Sequence, residues 1–244
     1  VTDADCVMEN DWGPKLVRHF TDPAVGAVSG PTLSLTHSGN VIERVQNLYN
    51  QVVFSFFKYC MDSVGGLIAL SGGCTALRKS ALGPERYDES LSSFENVDLA
   101  LKLVKSGYKV RFEPDAPVRS VEPRRFKVFL SRHYRWFSNM LGVVVRHLDM
   151  LLKPSYGGYS LTFTFFAAQT MGLFLTASTY VSLVLLDGLP NLHEVLANLS
   201  FILIPYILFT AIFITITVLA LKKANEWSYQ NVLLSLLWGP IALY

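Results

Sequence analysis

Phe94-Glu95-Asn96-Val97-Asp98-Leu99-Ala100-Leu101-Lys102-Leu103-Val104-Lys105-Ser106-Gly107-Tyr108-Lys109-Val110-Arg111-Phe112 is the stretch that decides the fold class. Apolar residues recur at helical spacing over residues 97–105, Ser106-Gly107 supplies a stop, and residues 108–112 alternate as a strand. A helix feeding directly into a strand points to α/β architecture. Working outward, residues 24–29 (Ala-Val-Gly-Ala-Val-Ser) before Gly30-Pro31 read as a buried strand and turn. Residues 40–59 read as one helix rich in apolar and aromatic side chains. The sequence sets no strand order and shows no internal repeat.

Between these pieces, Leu70-Ser71-Gly72-Gly73-Cys74-Thr75-Ala76-Leu77-Arg78-Lys79-Ser80-Ala81-Leu82 places a glycine pair after an apolar strand and before a helix with a basic start. Gly72 and Gly73 permit close backbone approach of a substrate. Near the start, Asp3 and Asp5 flank Ala4. Carboxylates so spaced at a strand end suit Mg²⁺ or Mn²⁺ bound to a diphosphate, although a solvated turn has the same pattern.

Composition divides the chain. The 244 residues are 51% apolar and 16% charged, skewed toward membrane proteins, and nearly all the charge precedes residue 154. Residues 154–186 and 195–221 carry no Asp, Glu, Lys, Arg or His, and each run exceeds the roughly 20 residues that span a bilayer as helix. Lys153 precedes the first run and Lys222-Lys223 follow the second, while the turn between them carries Asp187 and Glu194. The positive-inside rule therefore puts residues 1–153 in the cytoplasm. Residues 227–244 are expected to form a partial third segment. Residues 124–148 combine apolar positions at helical spacing with Arg124, Arg125, Lys127, Arg132, Arg135 and Arg146, the pattern of an amphipathic helix that lies in a headgroup layer or packs on the domain's own core; its place just before the first run favours the former.

Net charge is +2, with no basic tract, which argues against nucleic acid as a partner. Three cysteines without CxxC spacing fit neither a disulfide framework nor a zinc site, and a reducing cytosolic face is the simplest reading. The chain opens without Met, and we expect a fragment.

The order Asp3-Ala4-Asp5, Glu95-Asn96-Val97-Asp98-Leu99, then Arg132-His133-Tyr134-Arg135-Trp136 before long apolar runs resembles the membrane-embedded family 2 glycosyltransferases, which include cellulose, chitin and hyaluronan synthases and ceramide glucosyltransferase. The resemblance implies an α/β GT-A-like glycosyltransferase domain over residues 1–123, lacking its N-terminal nucleotide-binding half. An amphipathic interfacial helix over 124–153 and transmembrane α-helices over 154–244 would follow. It implies an inverting transferase at the plasma membrane, moving sugar from a nucleotide diphosphate sugar, most simply a UDP-sugar, to a growing polysaccharide. Transfer of one sugar to a membrane lipid is the alternative, and a non-catalytic subunit or decayed transferase is a reading of another class.

Residue by residue, the resemblance makes Asp5 the metal ligand and Asp3 a nucleotide support. It assigns the donor diphosphate to Arg135, with Arg132 and His133 beside it. Trp136 would stack on the acceptor sugar, with Gly72, Gly73 and Cys74 lining the acceptor end. Hydroxyl and aromatic residues of the first span, among them Tyr159, Ser160, Thr162 and Phe163, suit the lining of a glycan channel and equally a lipid-facing surface. Asn96 stands where the family carries its general-base Asp, and Glu95 is the only adjacent carboxylate. Its longer side chain is expected to point elsewhere. An amide does not accept a proton near neutrality, so the sequence as written should lose the base contribution. An engineered Asp-to-Asn change, a natural variant using another base and a misaligned resemblance all account for this. The first is preferred, because Glu95 and Asp98 keep the register and Asn is the near-isosteric replacement. Arg132 stands where polymer synthases usually carry Gln, closer to the ceramide glucosyltransferase version.

Overall fold

The computed structural model describes residues 1–35, 39–82, 94–187, 214–223, 225, 228 and 230–234. Two three-stranded sheets form the centre. In one, β6 (Val118–Ser120) lies between β1 (Cys6–Met8), antiparallel to it, and β3 (Thr32–Ser34), parallel to it. In the other, β2 (Val25–Ser29) lies between antiparallel β4 (Thr75–Leu77) and parallel β5 (Lys109–Phe112). Every residue of β2 is buried, as a central strand requires, and β5 alternates with Val110 and Phe112 inward.

Helix α5 (Glu95–Lys105) packs on the second sheet through Leu99, Ala100, Leu101, Leu103 and Val104, in one core with Ala27, Val110 and Phe112. It stops as the sequence predicts. Gly107 adopts φ +86°, and Tyr108 N–H reaches back to the Leu103 carbonyl at 3.0 Å, a Schellman-type closure open to glycine without strain. A second core joins the two sheets: Leu16 from α1 (Trp12–Val17) with Val25, Val28, Cys74, Ala116 and Val118. Arg78, ahead of α4 (Lys79–Leu82), donates to the carbonyls of Val25, Phe20 and Asp22, so it latches the sheet edge.

Residues 40–59 are not one regular helix. Asn40 caps α2 (Val41–Tyr49) by accepting from the amides of Ile42 and Glu43. Asn50–Phe57 is then π-helical, and α3 (Lys58–Ser63) resumes the α pitch. Periodicity does not announce this, because Val52–Phe57 is apolar at every position but Ser55 and leaves no stripe whose phase could be read.

The basic stretch also breaks. α6 (Phe126–Phe137) and α7 (Met140–Arg146) are separate, followed by a 3₁₀ turn at Leu148–Met150. Three of its arginines pair with buried carboxylates of the domain: Arg124 with Glu43 at 3.0 Å, Arg132 with Glu122 at 2.7 Å, and Arg146 with Asp98 at 3.6 Å.

α8 (Gly158–Asp187) covers most of the first uncharged run. Its start belongs to the domain. Phe163 is buried in the α5 core, Val110 N–H donates to the Tyr159 hydroxyl at 2.9 Å, Ser160 donates to the Met150 carbonyl, and Thr162 to the Gly66 carbonyl. The hydroxyls of Tyr159, Ser160 and Thr162 are thus taken up by domain backbone, and the Phe163 ring by the core, so these four residues serve the domain and neither line a channel nor face lipid. Among the described residues no helix is long and apolar enough to cross a membrane. The expected spans over 195–221 and 227–244 lie largely outside the described residues.

Candidate active site

Asp3, Asp5 and Cys6 sit where the chain turns into β1, with Cys6 N–H bonded to the Asp3 carbonyl at 3.2 Å. Their donor atoms lie within 4.8 Å of one another, and both aspartates are solvent-exposed. Burial, then Asp5 and Asp3, pushes the Cys6 thiol up to about 11, so it stays protonated at neutral pH. It can act as a weak donor toward Asp5 Oδ1, 3.9 Å away. Two oxygen donors with open surroundings fit a hard divalent cation that takes its remaining ligands from a diphosphate and water.

Ser71, Gly72, Gly73 and Cys74 form a tight turn against this edge, closed by Cys74 N–H to the Ser71 carbonyl. The two glycines are where the motifs meet. A Cβ on Gly72 would stand 3.3 Å from Asn96 Nδ2 and 3.7 Å from Asp3 Oδ2; one on Gly73 would stand 2.8 Å from Cys6 Sγ and 3.4 Å from Asp3 Oδ2. Asp3, the glycine turn and Asn96 thus converge from three distant parts of the chain.

Asn96 lies in the first turn of α5, after Phe94, whose left-handed backbone (φ +66°) is a strained conformation for a bulky residue. Glu95 does not point elsewhere: Asn96 Nδ2 lies 3.4 Å from Glu95 Oε1, and Glu95 Oε2 is buried with no hydrogen bond among the described residues. Two residues on, buried Asp98 bonds His147 Nε2 at 2.9 Å and pairs with Lys102 at 2.8 Å. Burial opposes its ionisation, yet the His147 and Lys102 contacts outweigh that and hold its carboxyl below the ordinary range. α5 is fixed to α7 through this pair.

Trp136 lies in an aromatic cluster of its own. It stacks on Tyr49 (6.1 Å between centroids), meets Phe54 edge-on (5.5 Å) and packs against His133 (5.0 Å), with the Arg132 guanidinium 6.0 Å over its ring. Beneath it, Glu122 Oε1 accepts from Asn50 and Ser120 while Oε2 accepts from Arg132. Burial pushes the Glu122 carboxyl up despite these partners.

Two expected site residues are elsewhere. His133 is 4% exposed within the cluster, with Nδ1 on the Phe129 carbonyl, and it presents no surface to a diphosphate. Cys74 is fully buried, accepting from Trp12 Nε1 at 3.0 Å and donating to the Ala116 carbonyl, so it faces the core and not an acceptor. Arg132 is engaged by Glu122, whereas Arg135 is exposed on α6. Sequence reasoning missed Glu122, Tyr49, Phe54 and His147. The one signal available was Glu122 directly before Pro123-Arg124, an acid interrupting a basic stretch.

A GT-A-like glycosyltransferase domain is the class that this α/β fold and its converging motifs define. Over residues 1–241 the chain matches the sequence profile described as glycosyl transferase family group 2, and it belongs to that family. Among similar proteins, the pre-mycofactocin glycosyltransferase of Mycobacterium tuberculosis is 25% identical over 148 residues, 60% of this chain and 32% of that protein. An N-acetylglucosaminyltransferase of Bradyrhizobium diazoefficiens is 24% identical over 196 residues (76% and 40%). The poly-β-1,6-N-acetyl-D-glucosamine synthase of Staphylococcus aureus is 23% identical over 152 residues (62% and 37%). The chain spans about a third of the length of such relatives. In fold it is similar to the mannosyltransferase PcManGT from Pyrobaculum calidifontis, solved in complex with GDP-Man and Mn²⁺, with TM-score 0.54, 16% identity, and 98% of this chain and 61% of that one covered.

Proposed function

We propose that the protein is a membrane-embedded, inverting, metal-dependent glycosyltransferase that extends a polysaccharide from a nucleotide diphosphate sugar, with its catalytic domain on the cytoplasmic side. The observation that carries this reading is the meeting of Asp3, Gly72-Gly73 and Asn96 at one sheet edge. There a leaving diphosphate and an attacking hydroxyl would have to be held together. Asp5 and Asp3 would hold Mg²⁺ or Mn²⁺, which neutralises the leaving-group charge when bound. The glycine turn lets substrate approach the backbone, and position 96, at the start of a rigid helix, faces that space. In this chain position 96 holds an amide, so the base contribution is lost as written. Trp136, seated on Tyr49, offers an aromatic face for an acceptor sugar, and exposed Arg135 on the same helix would meet the diphosphate.

Mn²⁺ with GDP-Man in the similar archaeal structure, and the polymer made by the similar staphylococcal synthase, support the metal and the polysaccharide. Bilayer embedding rests on the uncharged runs, each longer than the roughly 20 residues that a spanning helix needs.

The test uses membranes containing the full-length protein with Asn96→Asp, given labelled UDP-glucose, UDP-N-acetylglucosamine and GDP-mannose with Mn²⁺, and sizes the products. A long, glycosidase-sensitive polymer supports the proposal and names the sugar. A single labelled sugar in the lipid extract replaces it with lipid glycosylation, and no transfer favours a non-catalytic subunit.

A further inference from the structure

Lys58 opens α3 immediately after the π-helical segment and is 4% exposed. Its amine donates to Ser71 Oγ at 2.7 Å. Ser71, the residue before the glycine pair, is pinned on every side: Oγ donates to the Gly30 carbonyl (2.8 Å), N–H donates to Ser29 Oγ (2.7 Å), and its carbonyl accepts from Thr75 Oγ1 (2.6 Å). On its other side the Lys58 amine lies 5.3 Å from the Phe54 ring centroid, and Phe54 meets both Tyr49 and Trp136 edge-on.

Among the described residues the partner of the Lys58 amine is the Ser71 hydroxyl and not a carboxylate, and burial pulls its ammonium down to about 7. A buried amine without a counter-ion costs stability, and an apolar side chain of similar length would avoid that cost. The π-helical insertion aims it: removing one residue would turn Lys58 by about 100° away from Ser71.

We propose that Lys58 is a positioning residue that ties the Gly72-Gly73 turn to the aromatic cluster of Trp136, fixing the spacing between the acceptor-stacking face and the point of transfer. Lys58 touches no reacting atom; it acts through Ser71 on one side and Phe54 on the other. This rests on the glycosyltransferase reading above, which assigns the acceptor to these two elements.

The experiment compares Lys58→Met, Ser71→Ala and the double variant in the full-length Asn96→Asp protein. It measures transfer of labelled sugar from UDP-N-acetylglucosamine to a short β-linked N-acetylglucosamine oligomer, hydrolysis of that donor, and amide exchange of the peptide holding Ser71 to Cys74. Losing one hydrogen bond of this kind is worth about tenfold. Lys58→Met is expected to raise the acceptor KM about tenfold with the donor KM unchanged, to favour hydrolysis over transfer, and to speed exchange in the turn. Ser71→Ala should do the same, and the double variant no more than either alone. Equal changes in donor and acceptor KM, multiplicative effects in the double variant, or unaltered exchange would overturn the inference. Should Lys58→Met fail to fold, Ser71→Ala carries the test alone. Absence of both hydrolysis and transfer before any change at Lys58 counts against the glycosyltransferase reading, and the exchange of the turn then decides the role of Lys58.

Discussion

Replacing Asn96 by Asp is the most direct perturbation, and the structure sets two magnitudes for it. General bases contribute about 10² to 10⁴ in rate, or about 3–5 kcal/mol. The second comes from Glu95, whose Oε1 lies 3.4 Å from Asn96 Nδ2. A carboxylate at position 96 would put two charges at about that separation. At an effective dielectric of about 20 they repel by about 5 kcal/mol. Both residues are partly exposed, and solvent screening with rotation of Glu95 reduces this to about 1–2 kcal/mol, or about one pH unit. The assay is kcat/KM for sugar transfer between about pH 4 and 9, in Asn96→Asp and in Asn96→Asp with Glu95→Gln. The first should exceed the starting protein at least about a hundredfold. Neutralising Glu95 should move the acid limb of the profile about one pH unit lower, because the base no longer ionises against a neighbouring charge. Equal rates with Asn and Asp at position 96 would refute a base there. Superimposed acid limbs would refute the coupling to Glu95.

Asp98→Asn breaks the buried contacts to His147 and Lys102 and is expected to cost about 3–5 kcal/mol at neutral pH, read as a lower Tm in detergent. Because folding lowers the Asp98 pKa, its contribution is present above about pH 4 and disappears as pH falls through the lower folded value, so the Tm difference should close in acid. Gly73→Ala puts a Cβ 2.8 Å from Cys6 Sγ, inside contact distance, whereas Gly72→Ala meets only the ends of Asn96 and Asp3. Calorimetric titration with UDP and Mn²⁺ should show much weaker binding in the first, at an overpacking cost of about 1–3 kcal/mol, and a smaller loss in the second. Asp5→Ala should abolish the Mn²⁺-dependent part of UDP binding in the same titration, and unchanged binding would remove Asp5 from the metal site. The full-length protein should float with liposomes and resist carbonate extraction; release into the soluble fraction would count against embedding.

Local signals with a single physical cause were legible in the sequence. The α5 and β5 pair was readable because its apolar spacing changes period at Ser106-Gly107, and the structure places both elements within a residue or two of that reading. That Gly72-Gly73, Asp3 and Asn96 belong to one site was implied only by the family resemblance, since the sequence sets no strand order, and the structure does bring the three together. What escaped depends on pairs distant in sequence. Nothing local shows that Glu122 draws Arg132 inward from 10 residues away, or that His147 reaches Asp98 across 49 residues. Cys74 read as site lining because it follows two glycines, yet the chain reverses there and turns the thiol into the core shared by both sheets.

Phe94, strained immediately before position 96, rests its ring 6.0 Å from Phe166 of α8, and Phe163 one turn earlier is buried against the same α5 helix. The reacting edge of the domain and the root of its long apolar helix are therefore joined by direct packing. A tilt of α8, whether from bilayer thickness or from a passing chain, would reach position 96 through a rigid aromatic contact instead of a flexible linker. In the membrane-embedded reading proposed above, membrane composition would then act on turnover itself, and a domain cut off before α8 would lose the aromatic contact beside its reactive edge.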